Sequence, residues 1–427
     1  MAKKIEILKK ELLDGVYRER LLDLYGDEAV IERQTMRYVK ALEEFEALYD
    51  CEEVEIYSAP GRSEVGGNHT DHQHGKVIAA SVDLDIIAVV APTEGTLVKI
   101  KSEGYRPFEV DINDLEKGEA EESMSRALVK GIAYRLKELG YAIGGFCAYM
   151  TSDVFNGAGV SSSAAFEILL GSIFSGLYNN AEIDAVTLAQ VGQFAENVYG
   201  GKPCGLLDQM ACSVGGMVYV DFKDPAAPEV EPVHADFSAF GHRLCLINTG
   251  GSHANLTDEY AAIPAEIKAV AGAFGKEVLR EVDQEEFFAK IPELREAYGD
   301  RAVLRAIHVF EENKRVELEK KALEDGDFEA FKVSVKESGR SSFSYLQNVY
   351  TNKNVQEQAV SVGLAVSDMI LGKDGVSRVH GGGFAGTIQA FVPKHRITDY
   401  KESMEKVFGK DSCCVMQVRK YGGIKVM

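Results

Sequence analysis

The stretch NGAGVSSSAAFEILLGSIFSGL, residues 156–177, sets a glycine-bearing run and three consecutive serines directly ahead of an apolar segment. Phe166, Leu169, Leu170, Ile173, Phe174 and Leu177 recur at i, i+3, i+4, i+7, i+8 and i+11. That is one face of a 3.6-residue repeat and predicts a helix. The serines then stand at its N-terminus, where backbone N–H groups lack intrahelical partners and the helix dipole is positive. Glycines just upstream let the backbone close on a bulky anion. An ordinary N-cap needs one hydroxyl and no glycines. The run Gly157, Ala158, Gly159, Val160, Ser161, Ser162 and Ser163 is therefore expected to bind an anion, with phosphate the leading candidate.

The totals frame this site. A chain of 427 residues exceeds what one core usually serves, so two domains are expected. A net charge of −20 disfavours nucleic acid, whose phosphates need clustered Lys and Arg. The seven cysteines, from Cys51 to Cys414, form no C-x-x-C pair or zinc spacing and are expected to be free thiols in a reducing compartment. The N-terminal MAKKIEILKKELLDG lacks the apolar core of a secretion signal, and no apolar run reaches a membrane-spanning length. A cytoplasmic protein with no membrane partner, a monomer or weak dimer, is the expectation.

Along the chain, residues 1–45 alternate charged and apolar positions at helical spacing and are expected as a helical extension. VEIYSAP (54–60) and KVIAASVDLDIIAVVAP (76–92) are rich in β-branched residues and predict strands, with GRSEVGGNHTDHQHG as a loop between them. Helices are expected near 125–139, 184–199 and through most of 260–345, and strands at GGFCAYMTSDV, MVYVDF, HRLCLINTG, TIQAFV and CCVMQV. KDPAAPEVEPVHA (223–235) is proline-rich and is expected to connect two lobes, 46–222 and 236–427. The order of elements is α+β, without strict βαβ alternation. One G-x-G-x-x-G, Gly381 to Gly386, opens into an alternating β run where a dinucleotide site needs a helix, and a Walker A sequence is absent.

Four motifs in order complete the picture: A-P-G-R (59–62) with G-x-H-T-D (67–71), G-A-G-V-S-S-S-A (157–164), P-C-G-L-L-D-Q (203–209) and G-G-G-F-A-G (381–386). This set resembles the galactokinases, of the GHMP small-molecule kinases, from about residue 50 to the end. The resemblance implies a two-lobed GHMP kinase fold with the active site between the lobes. It also implies ATP-dependent phosphorylation of the anomeric hydroxyl of a galactose-type sugar, with small-molecule sugar and ATP as partners. By resemblance, Ser163 and Glu196 hold Mg²⁺. Mg²⁺ prefers oxygen ligands and keeps several waters, so one hydroxyl and one carboxylate suffice. The alternative for Glu196 is a solvated helix-end carboxylate. Asp208 becomes the catalytic carboxylate facing the sugar and Arg62 its partner, which keeps it ionised and offsets charge on the moving phosphoryl group. The alternative for Asp208 is a structural ion pair or a helix cap. Asn68, His69, Asp71, the Gly205 backbone and Tyr260 are the implied sugar contacts, with Arg62 and Asp208. For His69 a purely loop-stabilising role stays open, as a structural turn does for Gly381 to Gly383.

The pattern departs from the family in the sugar loop. Galactokinases read G-R-V-N-L-I-G-E-H-T-D-Y and this chain reads G-R-S-E-V-G-G-N-H-T-D-H, with Asn68 in place of the Glu that meets the sugar's 6-hydroxyl. Asn both donates and accepts, so it is expected to bind a 6-hydroxyl. It also no longer repels a 6-carboxylate, which admits galacturonate as the alternative substrate, with His72, His74 and Lys76 nearby. Asp71-His72-Gln73 resembles the plant galacturonokinase loop. Phe155 for Pro, Ser125 for Trp and the segment 341–354 are further departures. A non-catalytic sugar and ATP sensor is the reading from another class, and it predicts damage to the serine loop or Asp208, where the sequence shows none.

Overall fold

The computed structural model describes residues 2–117, 123–154, 159–202, 204–251 and 256–427. Its strands, in chain order, are β1 (Lys3–Lys4), β2 (Glu53–Gly66), β3 (Lys76–Pro92), β4 (Leu97–Ser102), β5 (Phe108–Asp111), β6 (Phe146–Ser152), β7 (Met217–Asp221), β8 (Glu229–Pro232), β9 (His242–Asn248), β10 (Val376–Val379), β11 (Thr387–Pro393), β12 (Cys413–Met416) and β13 (Ile424–Lys425). Among the described residues they form a nine-stranded sheet, with β1-β2-β3-β6-β4-β5 in order and β7, β8 and β13 attached, and a four-stranded sheet ordered β10-β11-β9-β12. The α+β expectation holds.

The first sheet is organised by β2 and β3, which pair antiparallel along most of their length. Strand β3 pairs with β7 through Lys76–Ala80 and with β6 through Ile86–Pro92, so one long strand carries both ends of the sheet. The expected loop from Gly61 is in its first part strand, because β2 continues to Gly66 with register shifts between Pro60 and Arg62 and between Glu64 and Gly66. Each shift re-aims the following side chains and increases local twist, the usual work of a β-bulge. The expected lobe connection at 223–235 is also part strand. β8 pairs with β7, so the first sheet continues past the prolines.

Helices α1 (Ile5–Leu13), α2 (Arg18–Tyr25) and α3 (Ile31–Leu48) cover one face of this sheet. Leu8, Leu12, Leu21, Tyr38, Leu42 and Phe45 pack there with Ile56, Ile87 and Val89. A polar tie fixes the extension. Asp85, fully buried, receives Arg37 Nη1 at 2.6 Å, Tyr25 Oη at 2.9 Å and Arg419 Nη1 at 2.9 Å. Arg419 arrives from the far end of the chain. After β12, β13 returns to pair with β2, so the last residues lie with the first sheet instead of the second lobe, where they are expected from sequence.

On the other face lie α4 (Met124–Glu138), α5 (Ser162–Tyr178), α6 (Ala185–Phe194) and α7 (Leu207–Val214). The helix expected from the opening stretch is α5, but it is not amphipathic. Ala164, Ala165, Glu167, Ile168, Leu169, Leu170, Ile173 and Phe174 are all buried, whereas Phe166 and Leu177 are only half-buried. The helix packs on β2, β3, α4, α6 and α7 at once, so nearly every side meets protein. The remaining helices are α8 (Thr257–Gly272), α9 (Gln284–Ala289), α10 (Ile291–Tyr298), α11 (Asp300–Glu324), α12 (Phe328–Ser341), α13 (Ala359–Leu371) and α14 (Ile397–Phe408). One core crosses from sheet to sheet, with Ile78, Ala80 and Tyr219 continuous with Leu244, Val316, Phe331 and Phe391.

Glu319 of α11 lies buried in that crossing, and neither carboxylate oxygen has a hydrogen-bond partner among the described residues. Burial and the Glu312 charge push its carboxyl up, against the pull of Arg378 and Arg315 and with the push of Glu64. The native chain thus keeps a proton that the unfolded chain releases above the ordinary carboxylate range, so stability falls as pH rises beyond it. Glu319→Gln is expected to flatten that fall and to stabilise the protein at pH 8 by roughly 1–3 kcal/mol. Denaturant melts at pH 5 and pH 8 check this. Equal stability of variant and parent at pH 8 would refute it.

Candidate active site

The site is assembled where β2 passes the start of α5. A Cβ on Gly61 would stand 2.7 Å from the Val160 carbonyl oxygen, closer than real side chains come. Glycine therefore lets the strand run against the serine loop, and Arg62 N–H donates to Val160 O at 3.1 Å. The bulge before Arg62 turns its guanidinium onto Asp208, in the first turn of α7. Nε meets Oδ1 at 2.6 Å and Nη2 meets Oδ2 at 2.8 Å, a bidentate pair. Arg62 Nη1 donates to Gly159 O, and Ser161 Oγ donates to Asp208 Oδ2. Burial pushes the Asp208 carboxyl up, but the charge and hydrogen bonds of Arg62, with Ser161, outweigh it and hold it below the usual carboxylate range. The Asp208 side chain stays 34% exposed against 9% for Arg62, so of the two, which both line the cleft, the carboxylate is the more open.

Ser161 sits just ahead of α5 with φ +54° and makes no side-chain cap. Its hydroxyl serves Asp208, a bond invisible to a reading of the serines as a phosphate loop alone. Gly157 and Ala158 lie outside the described residues, as does Phe155. Gly159, Ser161, Ser162, Ser163, Arg62, Asp208, Lys202, His380 and Gly381 to Gly383 line a cleft of about 290 Å³. A wider surface groove beside Lys4 and residues 46–52 contains none of them.

Beside the serines, Ser163 Oγ donates to Glu196 Oε1 at 3.2 Å, and Glu196 is buried. Gln209 Nε2 bridges Glu196 Oε2 at 3.1 Å and Glu167 Oε2 at 2.9 Å. Burial and then the Glu196 charge push the Glu167 carboxyl well up. Lys202 Nζ completes the group, 2.8 Å from Glu196 Oε1. Sequence reasoning missed Glu167 and Lys202. Glu167 sits one turn after Ser163, a spacing that was legible, but its burial was not, because it follows from α5 being enclosed.

The sugar loop behaves unevenly. A Cβ on Gly205 would stand 1.7 Å from Asp71 Oδ2, so only glycine allows Asp71 to approach the turn into α7. His69 Nε2 donates to Gly382 O at 3.2 Å. Burial, then His72, lower its pKa to about 3, so the ring is neutral and Nδ1 is an acceptor. Tyr260 Oη donates to Gly383 O at 2.7 Å, and its ring stands edge-on to Phe384. Thus His69 and Tyr260 both brace the Gly381–Gly383 turn.

Asn68 is different. Its side chain is fully buried. Nδ2 donates to Glu64 Oε1 at 3.0 Å and Gly381 O at 2.8 Å, and Oδ1 accepts from Asn348 Nδ2 at 2.9 Å and Ser342 Oγ at 3.2 Å. Every hydrogen-bonding group of the amide has a partner inside the protein. The expectation that Asn68 contacts the sugar is therefore corrected: it joins β2, the glycine turn and the segment after α12. Glu64, the other exchanged position of the loop, turns away to a buried pair with Arg378 at 3.0 Å. His380, also missed, accepts from Glu64 N–H at 3.2 Å through Nε2, so Nδ1–H donates to Thr387 Oγ1 at 3.2 Å. Burial, with Arg62 and Arg378, lowers its pKa far enough to keep it neutral. Glu64 lies over 300 residues from Arg378 and from His380 in sequence, and no local pattern announces these partners.

Residues 43–92 match the galactokinase galactose-binding signature, and residues 127–216 match the GHMP kinases N terminal domain. The galactokinase of Streptomyces coelicolor is 30% identical over 373 residues, covering 86% of this chain and 92% of that one. That of Glaesserella parasuis is 28% identical over 379 residues, with 86% and 93% covered. Lactococcus lactis galactokinase, solved in complex with galactose, superposes with a TM-score of 0.78 at 25% identity over 91% of this chain and all of that one. A mevalonate kinase, at 14% identity and a TM-score of 0.59 over 86% of this chain and 99% of that one, shares the fold. With Arg62, the serines, Asp208 and the Gly381–Gly383 turn lining one cleft and these relatives along its length, the chain belongs to the galactokinase family of GHMP kinases.

Proposed function

We propose that this chain transfers the terminal phosphoryl group of ATP to the anomeric hydroxyl of D-galactose, giving galactose 1-phosphate. The observation that carries this reading is the Arg62–Asp208–Ser161 arrangement at the rim of the serine loop. Phosphoryl transfer passes through a loose transition state and asks mainly for positioning and charge. Asp208, ionised and partly open to the cleft, accepts a hydrogen bond from the anomeric hydroxyl, aims its oxygen and takes its proton as the bond to phosphorus forms. Arg62 fixes the carboxylate and places positive charge near the transferring group. Asp71 accepts from ring hydroxyls beside Gly205, and His69 and Tyr260 hold the glycine turn over them. The intact Arg62–Asp208 pair supports an enzyme over a non-catalytic sensor.

Ser163 and Glu196 fit a Mg²⁺ site, since a hydroxyl and a buried carboxylate converge there. Among the described residues no set of three or more His, Cys, Asp or Glu is placed to hold a metal. Ser163 and Glu196 would hold the ion, which prefers oxygen ligands and keeps several waters, and it would supply positive charge to the ATP phosphates. Ser163→Ala and Glu196→Gln are expected to raise the Mg²⁺ concentration for half-maximal rate by about tenfold, the effect of one lost charge-assisted contact. An unchanged Mg²⁺ titration would remove both assignments. Seven free thiols suit a reducing cytoplasm, where the protein acts as a monomer or weak dimer.

The deciding test is a set of initial rates with ATP and Mg²⁺ on galactose, galacturonate and N-acetylgalactosamine. Galactose leading supports the proposal, with recognition at C6 falling to groups other than Asn68. Galacturonate leading overturns the substrate assignment at C6, and ATP turnover that ignores every sugar overturns the kinase reading.

A further inference from the structure

We propose that Lys202 is a phosphate-contacting residue of the transfer site, paired with Glu196 in the free chain and released to the terminal phosphates of ATP when a divalent ion engages Glu196. The proposal rests on the assignment of Ser163 and Glu196 to the ion. Lys202 Nζ stands 2.8 Å from Glu196 Oε1, the same oxygen that accepts from Ser163 Oγ at 3.2 Å. The ammonium thus already holds the Glu196 oxygen that the ion would take, so the two compete for it.

The two partners are unequally free to move. The Glu196 side chain is 4% exposed and held by Gln209, whereas that of Lys202 is 61% exposed. A lysine head on a flexible, solvent-reaching stem can leave such a partner once the ion supplies the counter-charge that the buried carboxylate needs. Its backbone is anchored meanwhile, because Lys202 N–H donates to Glu196 O at 3.1 Å. The head swings while the residue stays at the cleft wall.

Charge supplies the second argument. Of the described residues that line the cleft, Lys202 and Arg62 are the basic ones apart from neutral His380. Arg62 spends both arms on Asp208 and its third nitrogen on Gly159 O. The cleft is lined by the Asp208 carboxylate, has the buried Glu196 carboxylate bonded to its Ser163, and is to receive a polyanion. Lys202 is the cation there whose bonds can be exchanged.

The test is ATP binding by calorimetry to the full chain, in EDTA and in Mg²⁺. In Mg²⁺, Lys202→Met is expected to weaken ATP binding by about 10- to 100-fold, the range for a lost charge-assisted contact. In EDTA its effect is expected to stay within about twofold, since Glu196 still holds the parent lysine. Lys202→Arg keeps the cation and is expected to bind within a few-fold of the parent in both. Glu196→Gln frees the lysine, so it is expected to bind ATP more tightly than the parent in EDTA and more weakly in Mg²⁺. If Glu196→Gln shows that reversal and Lys202→Met binds ATP like the parent in Mg²⁺, the Lys202 proposal is overturned and the metal assignment stands. If Glu196→Gln responds to Mg²⁺ as the parent does, the metal assignment falls and the exchange with it.

Discussion

Asp208→Asn is expected to lower kcat by roughly 10²–10⁴-fold, the usual weight of a positioned acid–base group, while ATP binding stays measurable. Asn keeps the shape but cannot take the proton, and it turns an N–H₂ toward the Arg62 fork that the carboxylate fills with two acceptors. Asp208→Ala goes further. It leaves a guanidinium only 9% exposed without its counter-charge, a change that typically costs about 3–5 kcal/mol of stability. The two variants therefore separate chemistry from fold: both lose turnover, and the alanine also melts earlier. Steady-state rates with thermal unfolding check this. Normal turnover in either would take Asp208 out of the mechanism.

Asn68→Glu carries the second large effect, and it runs against the sequence pattern. Restoring the family's glutamate at this position looks like a repair of the sugar site. The structure places that carboxylate within reach of Glu64 Oε1, now 3.0 Å from Asn68 Nδ2, and of the Gly381 carbonyl, 2.8 Å away. Two donated hydrogen bonds become two repulsive contacts in a fully buried position. Breaking a buried polar network in this way is expected to cost about 3–5 kcal/mol, read as a lower denaturant midpoint. A variant as stable as the parent, with a lower KM for galactose, would show instead that position 68 still reaches the sugar.

Glu64 and Asn68 show how a motif can keep its residue types and change its meaning. The family loop sets Asn and then Glu four residues later, and this chain sets Glu and then Asn. Read along the sequence, the second change is a lost sugar ligand. In the folded chain the two side chains bond to each other, and Glu64 also pairs with Arg378 from the second sheet.

Much of the protein was legible in the sequence alone. The 3.6-residue repeat after Ser163, the β-branched runs, and the glycines and serines between them follow from local rules of backbone geometry and periodicity, and they fixed the helix, the main strands and the serine loop. The ordered motifs identified the family and the Arg62–Asp208 partnership. Only the tertiary structure decided that α5 is enclosed on nearly every side, that β2 runs on through Gly66, and that the chain's end returns to pair with β2 and to bring Arg419 to Asp85. It also decided that Asn68 is spent on internal bonds and that Lys202 faces Glu196. The reason is physical: periodicity reports which side of one element is apolar, whereas burial, hydrogen-bond saturation and charge pairing depend on which distant segments pack against it.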